Sequence, residues 1–262
     1  MCMPELPDVE GFRRVFAEHA VGHRLKKIDV HDDQVIRGLS ASDFTRRLRG
    51  VSFAEPIRHG KWLKAPVAGR EGGPVLLLHF GMTGALEWCS GNSERRPHDR
   101  VIFEFAAGEL RYRDMRKLQG LRLVTDVGRA LGDIGPDALT VSREDFAAAF
   151  AGLRRQVKTA LTDQALLAGL GNLLADEILW RARINPERPC DRLSDSDTAA
   201  LHTRMRAVLR QSVRDERVPP RRNWLTGHRD DRPGVCPRCR TELRHGRVGG
   251  RGTVWCPRCQ AD

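Results

Sequence analysis

Four cysteines near the C-terminus constrain this chain more than any other feature. Cys236 and Cys239 form one CxxC pair, Cys256 and Cys259 form a second, and sixteen residues lie between the pairs. That spacing is the one expected of a four-thiolate zinc site in which each pair makes a tight knuckle. Thr253-Val254-Trp255, just ahead of the second pair, reads as a strand. The segment is therefore expected to be a small hairpin in which zinc replaces the core that so short a stretch lacks. Four thiolates leave no open coordination position, so the single expected ion is structural and not catalytic. Between the knuckles, Arg244, Arg247 and Arg251 alternate with Gly246, Gly249, Gly250 and Gly252. Those glycines allow close backbone approach to a phosphate, and Arg251 is the preferred contact.

The chain has 262 residues, 40% of them hydrophobic and 30% charged, enough apolar material to fill packed cores and to exclude general disorder. Its formal charge of +11, from 45 Lys and Arg against 34 Asp and Glu, favours a polyanionic partner, although an arginine-rich composition produces such a charge without any ligand. No apolar run approaches the roughly 20 residues needed to span a bilayer. Glu5, Asp8 and Glu10 stand where a secretory leader would be basic and then apolar, so a cytoplasmic protein is expected. In that reducing compartment the seven cysteines are not a disulfide framework, and Cys2, Cys89 and Cys190 are expected to be plain thiols.

Hydrophobic periodicity divides the rest. From Pro7 to about Ala20, Val9, Phe12, Phe16 and Ala20 fall on one helical face, with Pro7 suited to the first turn and Gly22 to the stop. Short apolar runs then follow at Val51 to Phe53, Trp62 to Leu63, Val75 to Leu78, Val101 to Phe105 and Leu121 to Val124. Separated by turn residues, they predict an antiparallel sandwich or barrel. After Gly135-Pro136 the pattern is helical: Phe146 and Phe150 lie four apart, periodicity runs through Leu161, Ala165, Leu166 and Leu170, and helices are expected from Leu173 to about Arg183 and from Asp195 to Val213. Gly169-Leu170-Gly171 joins two of these helices, with Asn172 expected as an N-cap whose free amides attract anions. In a basic protein a phosphate is the natural ligand there, with Lys158 as a second charge; the plain alternative is an ordinary cap.

Several motifs in fixed order then agree with one family. Pro4-Glu5-Leu6-Pro7-Asp8-Val9-Glu10 resembles the N-terminal signature of the formamidopyrimidine-DNA glycosylase and endonuclease VIII family. Arg58-His59-Gly60-Lys61-Trp62-Leu63, His79-Phe80-Gly81-Met82-Thr83-Gly84, Arg111-Tyr112-Arg113-Asp114, Lys158-Thr159-Ala160-Leu161, the Gly169 to Glu177 turn and the cysteine tail resemble its later landmarks. The resemblance implies an α+β multidomain chain. Its parts would be an N-terminal antiparallel β-sandwich with an opening helix over 1–130, a helix-two-turn-helix module over 131–225 and a four-cysteine zinc finger hairpin over 232–262. It also implies a DNA-repair enzyme, a monomer acting on double-stranded DNA that carries a damaged base or an abasic site.

The chemistry implied is that of an N-terminal secondary amine. Attack of the Pro4 nitrogen on a sugar C1′ expels the base and leaves a cationic iminium. The iminium acidifies the C2′ proton; loss of that proton expels the 3′ phosphate, and a second elimination can release the 5′ phosphate. Glu5 is suited to protonating the sugar ring oxygen. By the same resemblance Lys61 holds a phosphate flanking the lesion, His79 and Met82 belong to the DNA-contacting motif with Met82 filling the gap of a flipped nucleotide, and Arg116 and Leu118 enter the opposite strand.

Four features depart from the family pattern. Met1-Cys2-Met3 precede Pro4, so a free amine requires initiation at Met3 with its removal, or other trimming; without it, a non-catalytic lesion-binding protein is the expected alternative. Leu118 stands where phenylalanine is usual and Leu174 where tyrosine is usual, and Ser212 to Asn223 lacks the Gly-Gly-Ser/Thr run that begins the loop over a flipped 8-oxoguanine. A general zinc-ribbon nucleic-acid binder would leave the first half of the chain unexplained.

Overall fold

The computed structural model describes residues 3–69, 72–90 and 93–261. Met1 and Cys2 lie outside them, and with them the expectation for the Cys2 thiol. The chain forms two compact units, one of residues 3–4 and 8–132 and one of residues 5–7 and 133–261. No helix among the described residues is long and apolar enough to cross a membrane.

Helix α1 (Leu6–Ala20), which belongs to the first unit from Asp8 onward, buries Val9, Phe16 and Ala20, and Gly22 turns the chain out of it at φ +72°. Strands β1 (Lys27–Val30) and β2 (Ile36–Arg37), helix α2 (Ala41–Leu48), strands β3 (Ile57–His59), β4 (Trp62–Pro66), β5 (Val75–His79), β6 (Ala85–Cys89), β7 (Asp99–Glu104), β8 (Glu109–Arg113) and β9 (Gly120–Val124), and the short helix α3 (Val127–Leu131) follow. They make a four-stranded sheet, β1-β7-β8-β6, and a five-stranded sheet, β2-β9-β5-β4-β3, antiparallel except where β2 runs parallel to β9. One core holds Leu63, Leu76, Leu78 and Leu121 of the larger sheet with Val101, Phe103, Leu110 and Tyr112 of the smaller, which is the expected sandwich. β5 lies between two neighbours and is a continuous apolar run, whereas β4 alternates buried and half-buried residues with period two.

Two details differ from expectation. Val51 to Phe53 is not a strand; Phe53 makes only isolated bridges, to Val21 and Val67. β1, β6 and β8 carry no apolar run, because each interleaves charged residues with apolar ones.

The second unit is helical with a hairpin. Helices α4 (Arg143–Phe150), α5 (Val157–Leu161), α6 (Asn172–Ala182) and α7 (Asp195–Arg214) bury Phe146, Phe150, Leu161, Leu174, Ile178 and Leu209 in one core. α7 begins at a capping box in which Ser194 and Asp197 satisfy each other's backbone amides. The periodicity through Leu170 does not continue as helix: α5 ends at Leu161, and residues 162–170 form turns. Strands β10 (Arg244–Val248) and β11 (Arg251–Trp255) pair through a two-residue turn, Gly249-Gly250, with both residues at positive φ as a type I′ turn requires.

Candidate active site

Glu5 belongs to the second unit, and its carboxylate occupies the amino end of α6. Oε2 accepts from the backbone N–H of Gly171 at 2.7 Å and of Leu174 at 3.2 Å, and Oε1 accepts from Leu173 at 2.8 Å. These are the amides that a helix start leaves without intrahelical partners, and the helix dipole favours a negative group there. The glycines of the Gly169-Leu170-Gly171 turn therefore serve the chain's own N-terminal segment. Any side chain at Gly171 would strike the Glu5 carboxyl group, and a Cβ at Gly169, itself at φ +114°, would lie 2.6 Å from Leu6 Cδ1. This corrects the expectation for Asn172. Gly171 is the N-cap, Asn172 is the first helical residue, and its Nδ2 donates instead to the carbonyl of Gly252 at 2.8 Å. Leu174, where tyrosine is usual in the family, is fully buried in the helical core.

Gly252, next to Arg251 at the start of β11, is a meeting point. Besides Asn172, its carbonyl accepts from Lys158 Nζ at 3.1 Å and Arg229 Nη2 at 2.8 Å. Asp176, buried on α6, pairs with Lys158 at 2.6 Å and with Arg229, and accepts from the Val254 amide at 3.2 Å. Lys158, expected as a second charge for a phosphate, is thus fully buried. Burial, with the guanidinium groups of Arg229 and Arg251 nearby, lowers its pKa to about 7. The Glu5 charge opposes that shift; Nζ donates to the Gly252 carbonyl and to Thr253 Oγ1 at 2.7 Å, and the Asp176 carboxylate lies beside it as an ion pair. Arg251 itself is exposed, on a backbone fixed by these contacts.

In the first unit, the β3–β4 hairpin turns through Gly60-Lys61, with Gly60 at φ +56° in the first central position, which a type II′ turn reserves for glycine. Lys61 is 9% exposed. Its charge and that of Arg122 act on His79, but burial contributes most in lowering the imidazole pKa to about 4. His79 is therefore neutral at pH 7, and its Nδ1 accepts from the Gly81 amide at 2.9 Å. Pro4 is buried.

Met82, Met115 and Leu118 are three of the four exposed large hydrophobic residues among those described, and all three sit on one pair of loops. Asp114, fully buried, ties the loops together by accepting from Thr83 Oγ1 at 2.7 Å and from the Arg116 amide at 3.1 Å. Arg37 holds the second loop through the carbonyls of Gln119 at 2.6 Å and Lys117 at 2.7 Å. Arg116 is exposed, and its Nη1 lies 3.0 Å from Met82 Sδ. Sequence reasoning assigned no role to Arg37, Asp114, Asp176 or Arg229. Asp114 and Asp176 stood in noted motifs, and nothing in the composition around Arg37 and Arg229 marks them.

The sulfurs of Cys236, Cys239, Cys256 and Cys259 lie within 4.8 Å of one another, with Cys236 to Cys259 at 4.0 Å and Cys239 to Cys256 at 3.4 Å. A tetrahedral zinc with bonds of about 2.3 Å places its sulfurs roughly 3.8 Å apart, so the four side chains fit the ion. The buried Trp180 donates its indole N–H to Cys236 Sγ at 3.3 Å, an outer contact of the kind that orients a ligand. Cys190, outside the cluster, is buried, and burial raises its thiol pKa to about 11, as suits an inert thiol.

These arrangements define a class. Residues 3–121 match the formamidopyrimidine-DNA glycosylase N-terminal domain, 134–219 the H2TH domain of the same glycosylase, and 234–261 the zinc finger found in FPG and IleRS. Formamidopyrimidine-DNA glycosylase of Symbiobacterium thermophilum is 36% identical over 98% of this chain and 89% of its own length. That of Acidothermus cellulolyticus is 35% identical over 98% and 97%. Among solved structures, the Lactococcus lactis enzyme in complex with DNA containing an oxidised pyrimidine superposes with a TM-score of 0.88 at 28% identity, covering 99% of this chain and all of that one. The same enzyme with abasic-site DNA gives 0.86 at 28% identity. The class is that of DNA glycosylases with abasic-site lyase activity. The chain belongs to the formamidopyrimidine-DNA glycosylase family, with a zinc-binding finger.

Proposed function

We propose that the chain, as a cytoplasmic monomer with one structural zinc ion, excises oxidised or ring-opened bases from double-stranded DNA and cleaves the resulting abasic site through Pro4. The observation that carries this reading is the fixed position of Glu5. Three backbone amides anchor the carboxylate immediately after Pro4 in the chain, which suits a group that delivers a proton to the sugar while the proline nitrogen attacks C1′. Pro4 acts once the residues ahead of it are removed and its nitrogen is a secondary amine. Met82, Arg116 and Leu118 take the space of the flipped nucleotide and face the unpaired base; their exposure on loops braced by Asp114 supports that role. Lys61, His79, Asn172, Lys158 and Arg251 serve the phosphate backbone. Lys61 and Arg251 act through their charge, and His79, Asn172 and Lys158 by shaping the surfaces that carry it.

Relatives of known structure are bound to abasic-site, Fapy-dG and oxidised-pyrimidine DNA, which supports a substrate range of ring-opened purines and oxidised pyrimidines. Incubation of the Pro4-terminated protein with duplexes carrying each lesion tests the reading. Free base and strands ending in 3′ and 5′ phosphate are expected. Tight lesion binding with intact strands would show the non-catalytic alternative.

A further inference from the structure

The C-terminal end of α6 carries a group of cations outside the residues assigned to the proposed excision chemistry. A concavity of ≈ 370 Å³ is lined there by Arg181, Arg183, Arg204, Arg238, Trp180 and Asn223, and no carboxylate lines it. Arg181 pairs with Glu177 at 2.7 Å, whereas Arg183, Arg204 and Arg238 have no ion-pair partner among the described residues. Uncompensated charges gathered in a hollow repel one another and raise the local potential for an anion.

The rigidity of the hollow narrows what the anion can be. The guanidinium carbon of Arg238 sits 4.3 Å from the centre of the Trp180 ring, and that of Arg181 sits 4.4 Å from the Trp224 ring. Trp180 is fixed in turn by its hydrogen bond to Cys236, and Arg238 by a bond to the Trp180 carbonyl at 3.2 Å. With guanidinium groups on the indole faces, a base finds no aromatic platform here, while in-plane N–H groups suited to an oxyanion remain. A protein partner would need an apolar anchor at its centre, and the only large apolar side chain in the lining, Trp180, is 4% exposed. A phosphate group meets the remaining requirements.

We propose that this hollow is a second nucleic-acid contact that binds backbone phosphate without regard to sequence. It lies at the opposite end of α6 from Asn172, separated by the eleven residues of that helix, or about 16 Å.

The test uses the full chain with its zinc, a lesion-free duplex of about 30 base pairs, and the double substitution Arg183→Asn with Arg204→Ala. Asparagine tolerates the left-handed backbone of Arg183 at φ +62°, and Arg204 lies exposed on α7, so the fold should survive both changes. Binding is measured as a function of salt. Each lost phosphate contact lowers the slope of log affinity against log salt by about 0.9, so a fall of roughly 2 is expected. The lysine pair, Arg183→Lys with Arg204→Lys, keeps the charges and should restore most of the slope. Equal slopes for wild type and the first variant would overturn the proposal, as would a fall that the lysine pair fails to reverse. Zinc content and circular dichroism identify a variant that has lost its fold.

Discussion

Oε1 of Glu5 accepts the backbone N–H of Leu173 at 2.8 Å, across 168 positions of sequence. The contact makes the second residue of the proposed catalytic pair a capping group for helix α6 of the second unit. Fold and the proposed chemistry thus rest on the same carboxylate.

Glu5→Gln removes the charge and turns an amide NH₂ toward backbone donors. A loss of stability of about 1.5–3 kcal/mol is expected in urea denaturation, the range for hydrogen bonds to a charged group. Base excision should fall by about 10²–10⁴-fold, as for loss of a general acid. Gly171→Ala should destabilise by about 1–3 kcal/mol through crowding of the same carboxyl group.

His79 sets a pH dependence of stability. Its pKa in the fold is about 4 against an ordinary value of 6.5, so between those values the unfolded chain binds more protons than the folded one. The contribution is complete above pH 6.5 and is lost as pH falls toward 4, amounting to about 3 kcal/mol at most. His79→Asn, which keeps an acceptor for the Gly81 amide, should flatten this part of the curve when unfolding is followed from pH 7 to pH 4.

Met82→Ala and Leu118→Ala are expected to leave stability within about 0.5 kcal/mol, since the side chains are 38% and 50% exposed. Removal of a damaged base, which needs the flipped nucleotide's space filled, should slow by tenfold or more, on the order of a lost contact of 1.4 kcal/mol. Cleavage at a preformed abasic site, where no base must be extruded, should slow less. Equal slowing on both substrates would argue against the wedge role.

Chelation of zinc should release the hairpin and with it the Gly252 carbonyl that Lys158, Asn172 and Arg229 share. DNA affinity is expected to fall, and the Trp180 environment to change, because its indole N–H bonds a ligand sulfur. Fluorescence before and after chelation, followed by zinc restoration, measures both effects.

The sequence was most legible where chemistry demands a fixed local spacing. The cysteine pairs, the apolar face of α1, and the β5 run could all be read directly, because each is defined within a few residues. The Gly169-Leu170-Gly171 turn was visible but open to two readings, since glycines that admit a phosphate and glycines that admit Glu5 are identical in sequence. What settles the matter is a contact between positions 166 apart. The burial of Lys158 is hidden in the sequence for the same reason: its partners Asp176 and Gly252 are distant in the chain, and a buried lysine has the same letter as a solvated one. β8 escaped notice because Glu109-Leu110-Arg111-Tyr112-Arg113 buries an arginine that the pattern reads as polar. Arg111 is held there by Asp99, Glu109 and backbone carbonyls.

The most direct test of the central claim is borohydride reduction of the protein on an abasic-site duplex, followed by peptide mapping of the adduct, with the N-terminus verified beforehand as Pro4. A covalent protein–DNA product attached at the Pro4 nitrogen, absent from protein that retains Met3, is the expected result. No adduct from verified Pro4-terminated protein, or an adduct mapped to a lysine, would contradict the assignment of Pro4 as the nucleophile.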